Sequence, residues 1–118
     1  MMGYKAHFYD VVDFSIGRSG LTKDINGHRV KLPARWYRSF PHDYEAGNFI
    51  FLRKHLREGN VALDVGAHVG LYSVAMAQVV GSSGKVHPFE PSPVTRAELE
   101  RIVRMNDVAE QVILLSLA

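Results

Sequence analysis

Between Asn60 and Glu90 the chain reads NVALDV, GAHVG, LYSVAMAQVV, GSSG, KVHPFE, and this order restricts the fold more than any other stretch. NVALDV is short, apolar and rich in β-branched residues, which favours a buried strand over a helix. GAHVG sets Gly66 and Gly70 around a tight turn, LYSVAMAQVV is long enough for an apolar helix, and GSSG stops it. KVHPFE reads as a second strand. PSP then offers Ser92 as a cap and Pro93 at the first helical position of a helix to about Asn106, with Leu99, Ile102 and Val103 facing inward. EQVILLSLA reads as a third strand. Each crossover is too long for a hairpin, so the three strands are expected to be parallel, in the order third, second, first. The expected fold class is α/β, a Rossmann-like doubly wound parallel sheet. The pattern stops where such a sheet should continue. The chain therefore reads as truncated after the third strand, with strand 61–65 left with an uncovered edge.

The first sixty residues are less regular. HFYDVVDFSI predicts a short strand over residues 7–16, and INGHRVKLP a turn at Asn26-Gly27 leading into a strand in which Val30 and Leu32 alternate with Arg29 and Lys31. Pro33 and Pro41 break the next stretch, so ARWYRSF is expected to be loop or a short edge piece, with Trp36, Tyr37 and Phe40 forming a small satellite core. Residues 43–57 carry a helical pattern with Phe49, Leu52 and Leu56 on one face, Asp43 as cap, and Gly59 in the C-terminal cap role. This divides the chain into an N-terminal extension with short strands, 1–42, and the first half of a doubly wound domain, 43–118.

Composition excludes several functions. None of the 118 residues is cysteine, which removes disulfides, thiolate metal sites and a cysteine nucleophile and suits a reducing cytoplasm, the expected location. No apolar run reaches the roughly 18–20 residues of a membrane span, and MMGYKAHFYD lacks a signal-peptide core. The net charge is +2, with ten Lys/Arg against six Asp/Glu in residues 1–60 and four against six in 61–118. That asymmetry fits a solvated surface, and with no recognition-helix or aromatic RNA-binding signature, nucleic acid is not expected as a partner. The six histidines show no metal-like spacing, and no Ser-His-Asp set can be assembled.

The glycine turn carries the chemistry. In a strand–turn–helix unit a ligand sits over the carboxyl ends of the strands, where Gly66 and Gly70 let the backbone come close and the helix N-terminus supplies N–H groups. Glu90, twenty residues past Gly70, can accept from both hydroxyls of a ribose. The spacing G-x-x-x-G departs from the dinucleotide fingerprint G-x-G-x-x-G, and a pyrophosphate beside Asp64 would meet an uncompensated charge. A cationic nucleoside would not. S-adenosylmethionine has an ammonium, a sulfonium, a ribose and no phosphate, and is the expected cofactor.

With these residues in view, VALDVGAHVGLYSVAMAQVVGSSGKVHPFEPSP resembles the FkbM-type S-adenosylmethionine-dependent methyltransferases, in which D-x-G-A-N-x-G is followed by a strand ending F-E-P. The resemblance extends back through LPARWYRSFPHDYEAGNFIFLRKHLREGN to about Ile25. It implies that Asp64, Gly66, Ala67, His68 and Gly70 form the cofactor turn and that Glu90 binds the ribose. It further implies that Tyr44 and Glu45 line the methionine end. His68 stands where the family commonly has asparagine, and Pro88 removes a donor within the second strand. The implied reaction is O-methylation of a hydroxyl on a sugar or secondary metabolite. Full members continue with four more strands, and their catalytic groups and acceptor pocket lie beyond residue 118. Two other functions stay open: a nicotinamide-dependent oxidoreductase, and a non-catalytic interaction domain that kept the cofactor fold.

Overall fold

In the computed structural model the described residues are Phe8, Val11, Val12 and 19–115. The strand expected over 7–16 lies mostly outside them, and Phe8, Val11 and Val12 are helical rather than extended. The elements run β1 Leu21–Ile25, β2 His28–Leu32, α1 Ala34–Tyr37, α2 Ala46–His55, β3 Val61–Val65, α3 Leu71–Val80, β4 Lys85–Phe89 and α4 Pro93–Met105.

β1 and β2 form an antiparallel hairpin in which Ile25 faces His28 across the Asn26-Gly27 turn. Both turn residues have positive φ, 52° and 87°. That is the mirror-image turn whose twist matches a hairpin, and Asn-Gly is its preferred pair. Ile25, Val30 and Leu32 are fully buried against the rest of the chain. Two amides clamp the hairpin to the helices. Gln78 on α3 donates to the Arg29 carbonyl at 2.8 Å, and Asn106 both accepts from Lys31 N–H at 2.7 Å and donates to its carbonyl at 2.8 Å. Residues before and after position 42 thus share one core, Ile25, Val30 and Phe40 packing in the same cluster as Phe49, Val74 and Leu99.

Four expectations for residues 33–59 are corrected. ARWY forms a helical turn, and Trp36 and Phe40 belong to the main core and its edge rather than to a satellite. Asp43 is not the cap of α2. Glu45 holds that position in the left-handed conformation without a side-chain cap bond, while Asp43 accepts from Ala46 N–H through its carbonyl. The helix ends at Leu56, which turns extended, and Gly59 lies three residues further on with φ +83°, donating to the Val80 carbonyl.

β3 and β4 pair in parallel, Val61 with Lys85 through Val65 with Phe89. Among the described residues the third strand is one parallel bridge, Val86 with Val112, flanked by hydrogen bonds on either side. The order third, second, first holds. Pro88 is accommodated on the side of β4 facing residues 111–115. There Val86 N–H donates to Gln111, and Ile113 and Leu115 donate to Val86 and Pro88. The next donor in that ladder would be residue 88, which has none, and the carbonyl left over is Ile113. The His87 ring lies against that carbonyl, with Nδ1 at 3.2 Å. A carbonyl only accepts, so Nδ1 carries the proton and stands in for the missing amide.

The strongest departure is β3 itself. Val61, Leu63 and Val65 are 67%, 65% and 78% exposed, so one face of a strand read as buried is open. An apolar run shows that a strand can be covered on both faces; the covering elements decide whether it is. Here α3 packs against β3 and β4, and α4 packs against α3, Val74, Leu99 and Ile102 being fully buried in one core.

Candidate functional site

The turn after β3 is built by its glycines and by β4. Gly66 and Ala67 both donate to the Phe89 carbonyl, at 2.9 and 3.0 Å, folding the turn back over the end of β4. The two glycines meet different needs. Gly66 has φ +72°, and a Cβ there would meet nothing within 4 Å, so its requirement is conformational and its surroundings are open. Gly70 has φ +95°, and a Cβ would lie 3.1 Å from Cγ of the buried Leu99, so it also lets α3 approach α4. His68 has φ 54°. Asn and His are both among the residues that tolerate this left-handed region, which accounts for histidine at a position where the resembling family uses asparagine.

Six expected residues line one cavity of about 250 Å³: Tyr44, Glu45, Gly66, Ala67, His68 and Gly70, joined by Phe40 and Tyr72. The hairpin holds the Tyr44 side in place. Asn26 donates through its backbone to His42 at 2.7 Å and through its side chain to the Tyr44 carbonyl at 2.6 Å. Trp36 braces the other wall, edge-on to the His68 ring at 5.4 Å, with its indole N–H on Glu98 at 2.9 Å.

Glu90 and Asp64 are not among the residues lining that cavity. Glu90 closes the loop from outside: Oε1 accepts from His68 N–H at 2.9 Å and Oε2 from Ser92 N–H at 3.1 Å. Each oxygen keeps a further lone pair. Asp64 accepts from the hydroxyl of Ser73 at 2.6 Å and from the Ser73 backbone N–H, so it serves as a capping carboxylate for the first turn of α3. Burial raises its pKa, and the two bonds from Ser73 oppose that rise. Asp64 lines a second, more apolar groove of about 360 Å³ between α2, β3 and α3, with Asn48, Leu52, Leu63 and Met76. Tyr72 lines both cavities and separates them.

Tyr72 and Asn48 were not read from the sequence as site residues. Tyr72 lies within LYSVAMAQVV, a run that reads only as an apolar helix, and no motif singles out Asn48. Asn48 donates to Glu45 at 2.9 Å and to the Tyr72 hydroxyl at 3.2 Å. The Tyr44 hydroxyl is pushed up to about 12, first by its hydrogen bond to Glu45 and then by burial. Burial also raises Tyr72, with the Glu45 charge adding to it and the bond from Asn48 opposing it. Both phenols stay protonated at neutral pH.

Three solved structures share this arrangement of elements. A SAM-dependent methyltransferase from Aquifex aeolicus superposes with a TM-score of 0.53 at 24% identity, over 60% of this chain and 37% of its own. A SAM-dependent O-methyltransferase from Thermotoga maritima gives 0.54 at 27%, over 59% and 26%. The tRNA m1G37 methyltransferase of M. jannaschii gives 0.58 at 20%, over 85% and 29%. The fold is that of the Rossmann-like methyltransferases, and the chain spans about a quarter to two fifths of these relatives' lengths. No family model matches the sequence, and no curated protein is significantly similar to it. Because one matching fold belongs to a tRNA-modifying protein, the expectation that nucleic acid is not a partner gains no support. No helix among the described residues is long and apolar enough to cross a membrane.

Proposed function

We propose that this chain binds S-adenosylmethionine over the carboxyl ends of β3 and β4 and forms the cofactor half of a methyltransferase. The observation that carries this reading is the cavity at the glycine turn, which gathers Tyr44, Glu45, Gly66, Ala67, His68 and Gly70 from separate parts of the chain. At about 250 Å³ it is smaller than the roughly 300–1,000 Å³ usual for a whole small-molecule site, so it suits one end of a nucleoside-sized ligand. Glu90, just outside, has lone pairs left for ribose hydroxyls. Open space at Gly66 allows close approach of the ligand to the backbone. Asp64 enters the proposal as a positioning residue, through its hold on the first turn of α3. When bound, the cofactor supplies an electrophilic methyl group on sulfur. The residues described here bind and orient it.

The acceptor in this reading is a hydroxyl on a sugar or secondary metabolite, as the FkbM-type resemblance implies. The turn spacing disfavours the nicotinamide alternative. Calorimetric titration tests the choice: S-adenosylhomocysteine is expected to bind and NADH is not, and the reverse result refutes the proposal. Glu90→Ala is expected to lower the affinity by about tenfold, the equivalent of one charge-assisted bond. The same variant should lose the preference for the ribose ligand over its 2′-deoxy analogue.

A further inference from the structure

β3 leaves one of its two edges open. Lys85 N–H donates to the Asn60 carbonyl at 3.0 Å and Gly66 N–H to the Phe89 carbonyl at 2.9 Å. Along a strand successive residues direct these groups to opposite sides, so Asn60, Ala62, Asp64 and Gly66 face β4. The N–H and C=O groups of Val61, Leu63 and Val65 point the other way, where no strand lies among the described residues. Native edges are commonly blunted by a lysine, a proline or a bulge. VALDV has none of these, and its one charged side chain, Asp64, is turned to Ser73 on α3.

The second groove, of about 360 Å³, meets this edge at Leu63 and Asp64. α2 and its cap supply Phe51, Leu52 and Leu56 to its walls, and α3 supplies Met76. Backbone donors and acceptors at alternate residues thus lie beside an apolar trough. An extended chain answers both. Its amides would continue the ladder of β4 and β3 by one strand, and its side chains would alternate between the face of Val61, Leu63 and Val65 and the groove. A helix has already bonded its backbone groups internally, and an apolar small molecule would make no use of those on β3.

Charge narrows the occupant. Asp64 is the one carboxylate among the residues lining the groove, so an acidic residue entering it would lose water and meet a like charge. A second copy of this chain fails on that ground. With the two edges paired, Val61, Leu63 and Val65 would lie opposite their counterparts, and the copy's Asp64 would face the groove. Its α3, tied to that carboxylate through Ser73, would enter the space that α2 holds.

We infer that the open edge of β3 and the adjoining groove form an acceptor site for an extended polypeptide strand, one with large apolar residues at the groove-facing positions and no acidic residue among them. The inference is independent of the cofactor reading above.

The experiment is residue-by-residue amide hydrogen exchange on the whole chain, with and without a synthetic peptide of alternating leucine and threonine flanked by serines. In the free chain the amides of Val61, Leu63 and Val65 are expected to exchange fast, and those of Ala62 and Asp64 slowly. Saturating peptide should slow the first set by at least about tenfold and leave the second set unchanged. A peptide with aspartate at the central groove-facing position should bind about tenfold more weakly. Phe51→Ala, which removes a ring that is 65% exposed in the free chain, should weaken the leucine–threonine peptide to a similar extent. Failure of that peptide to bind, protection spread evenly over residues 61–65, or equal binding of the aspartate peptide would each overturn the acceptor site. Protection that appears without peptide as the chain concentration rises would assign the edge to a second copy and overturn it as well.

Discussion

Replacing Gly70 by alanine should destabilise the chain far more than the same change at Gly66, although both glycines belong to one turn. At Gly70 the backbone has φ +95° and ψ 17°, beyond the usual left-handed well, and an L-residue there costs about 1–2 kcal/mol. The new Cβ would lie 3.1 Å from Leu99 Cγ, the branch point of a fully buried side chain that cannot swing aside. Overpacking of this kind adds about 1–3 kcal/mol, giving a total of roughly 2–5 kcal/mol. At Gly66, φ is +72° and the Cβ meets nothing within 4 Å, so only the conformational part remains, about 1–2 kcal/mol. Urea unfolding of the two variants beside wild type measures both values, provided the slope m is unchanged. A domain of about 5–15 kcal/mol total stability makes the difference measurable. Gly66→Ala should nonetheless impair nucleoside binding, because its methyl group points into open space at the proposed site. Equal destabilisation by the two substitutions would refute the division of roles between the glycines.

Three further outcomes are expected. His87→Ala should cost about 1 kcal/mol and speed hydrogen exchange at the Leu115 amide, because Ile113 loses its donor; adding Pro88→Ala should restore part of the loss, and unchanged exchange would exclude the imidazole from the ladder. Asp64 has a folded pKa raised by burial, so its contribution to stability is full below the ordinary value of 3.8 and falls as pH rises through the folded value. Asp64→Asn should flatten the stability profile in that window, and a profile identical to wild type would refute burial as the cause. Val61→Lys with Leu63→Lys, at positions 67% and 65% exposed on the open face of β3, should reduce concentration-dependent association in sedimentation experiments. Association that persists at the wild-type level would place the contact elsewhere.

The sequence carried its clearest information where a local rule had one solution. Ser92 accepts from Thr95 N–H ahead of Pro93, as the cap pattern requires, and α4 ends at Met105 beside the expected Asn106. Asn26-Gly27 gave the hairpin turn, yet β1 was missed, because LTKDI shows its apolar alternation only weakly when its partner is unknown. The exposure of β3 was hidden for a different reason: VALDV says what could be buried, and only the packing of neighbouring elements says which face is. In the site, the glycine turn was legible because a tight strand-to-helix turn demands glycine at fixed positions, whereas the Tyr44-Glu45 pair came from the family resemblance alone. Asp64 was read as facing the ligand, and its partner Ser73, nine residues on, lay beyond any short motif. Tyr72 and Asn48 act through contacts between α2 and α3, and such a contact leaves no periodic trace in either segment.

The most direct test of the account is amide chemical-shift mapping of the whole chain during titration with S-adenosylhomocysteine. The account predicts saturable shifts concentrated at Glu45, Gly66, Ala67, His68 and Gly70, with Tyr72 following. Shifts confined to the second groove around Leu52, Leu63 and Met76, or no shifts at saturating ligand, would contradict the placement of the nucleoside at the glycine turn.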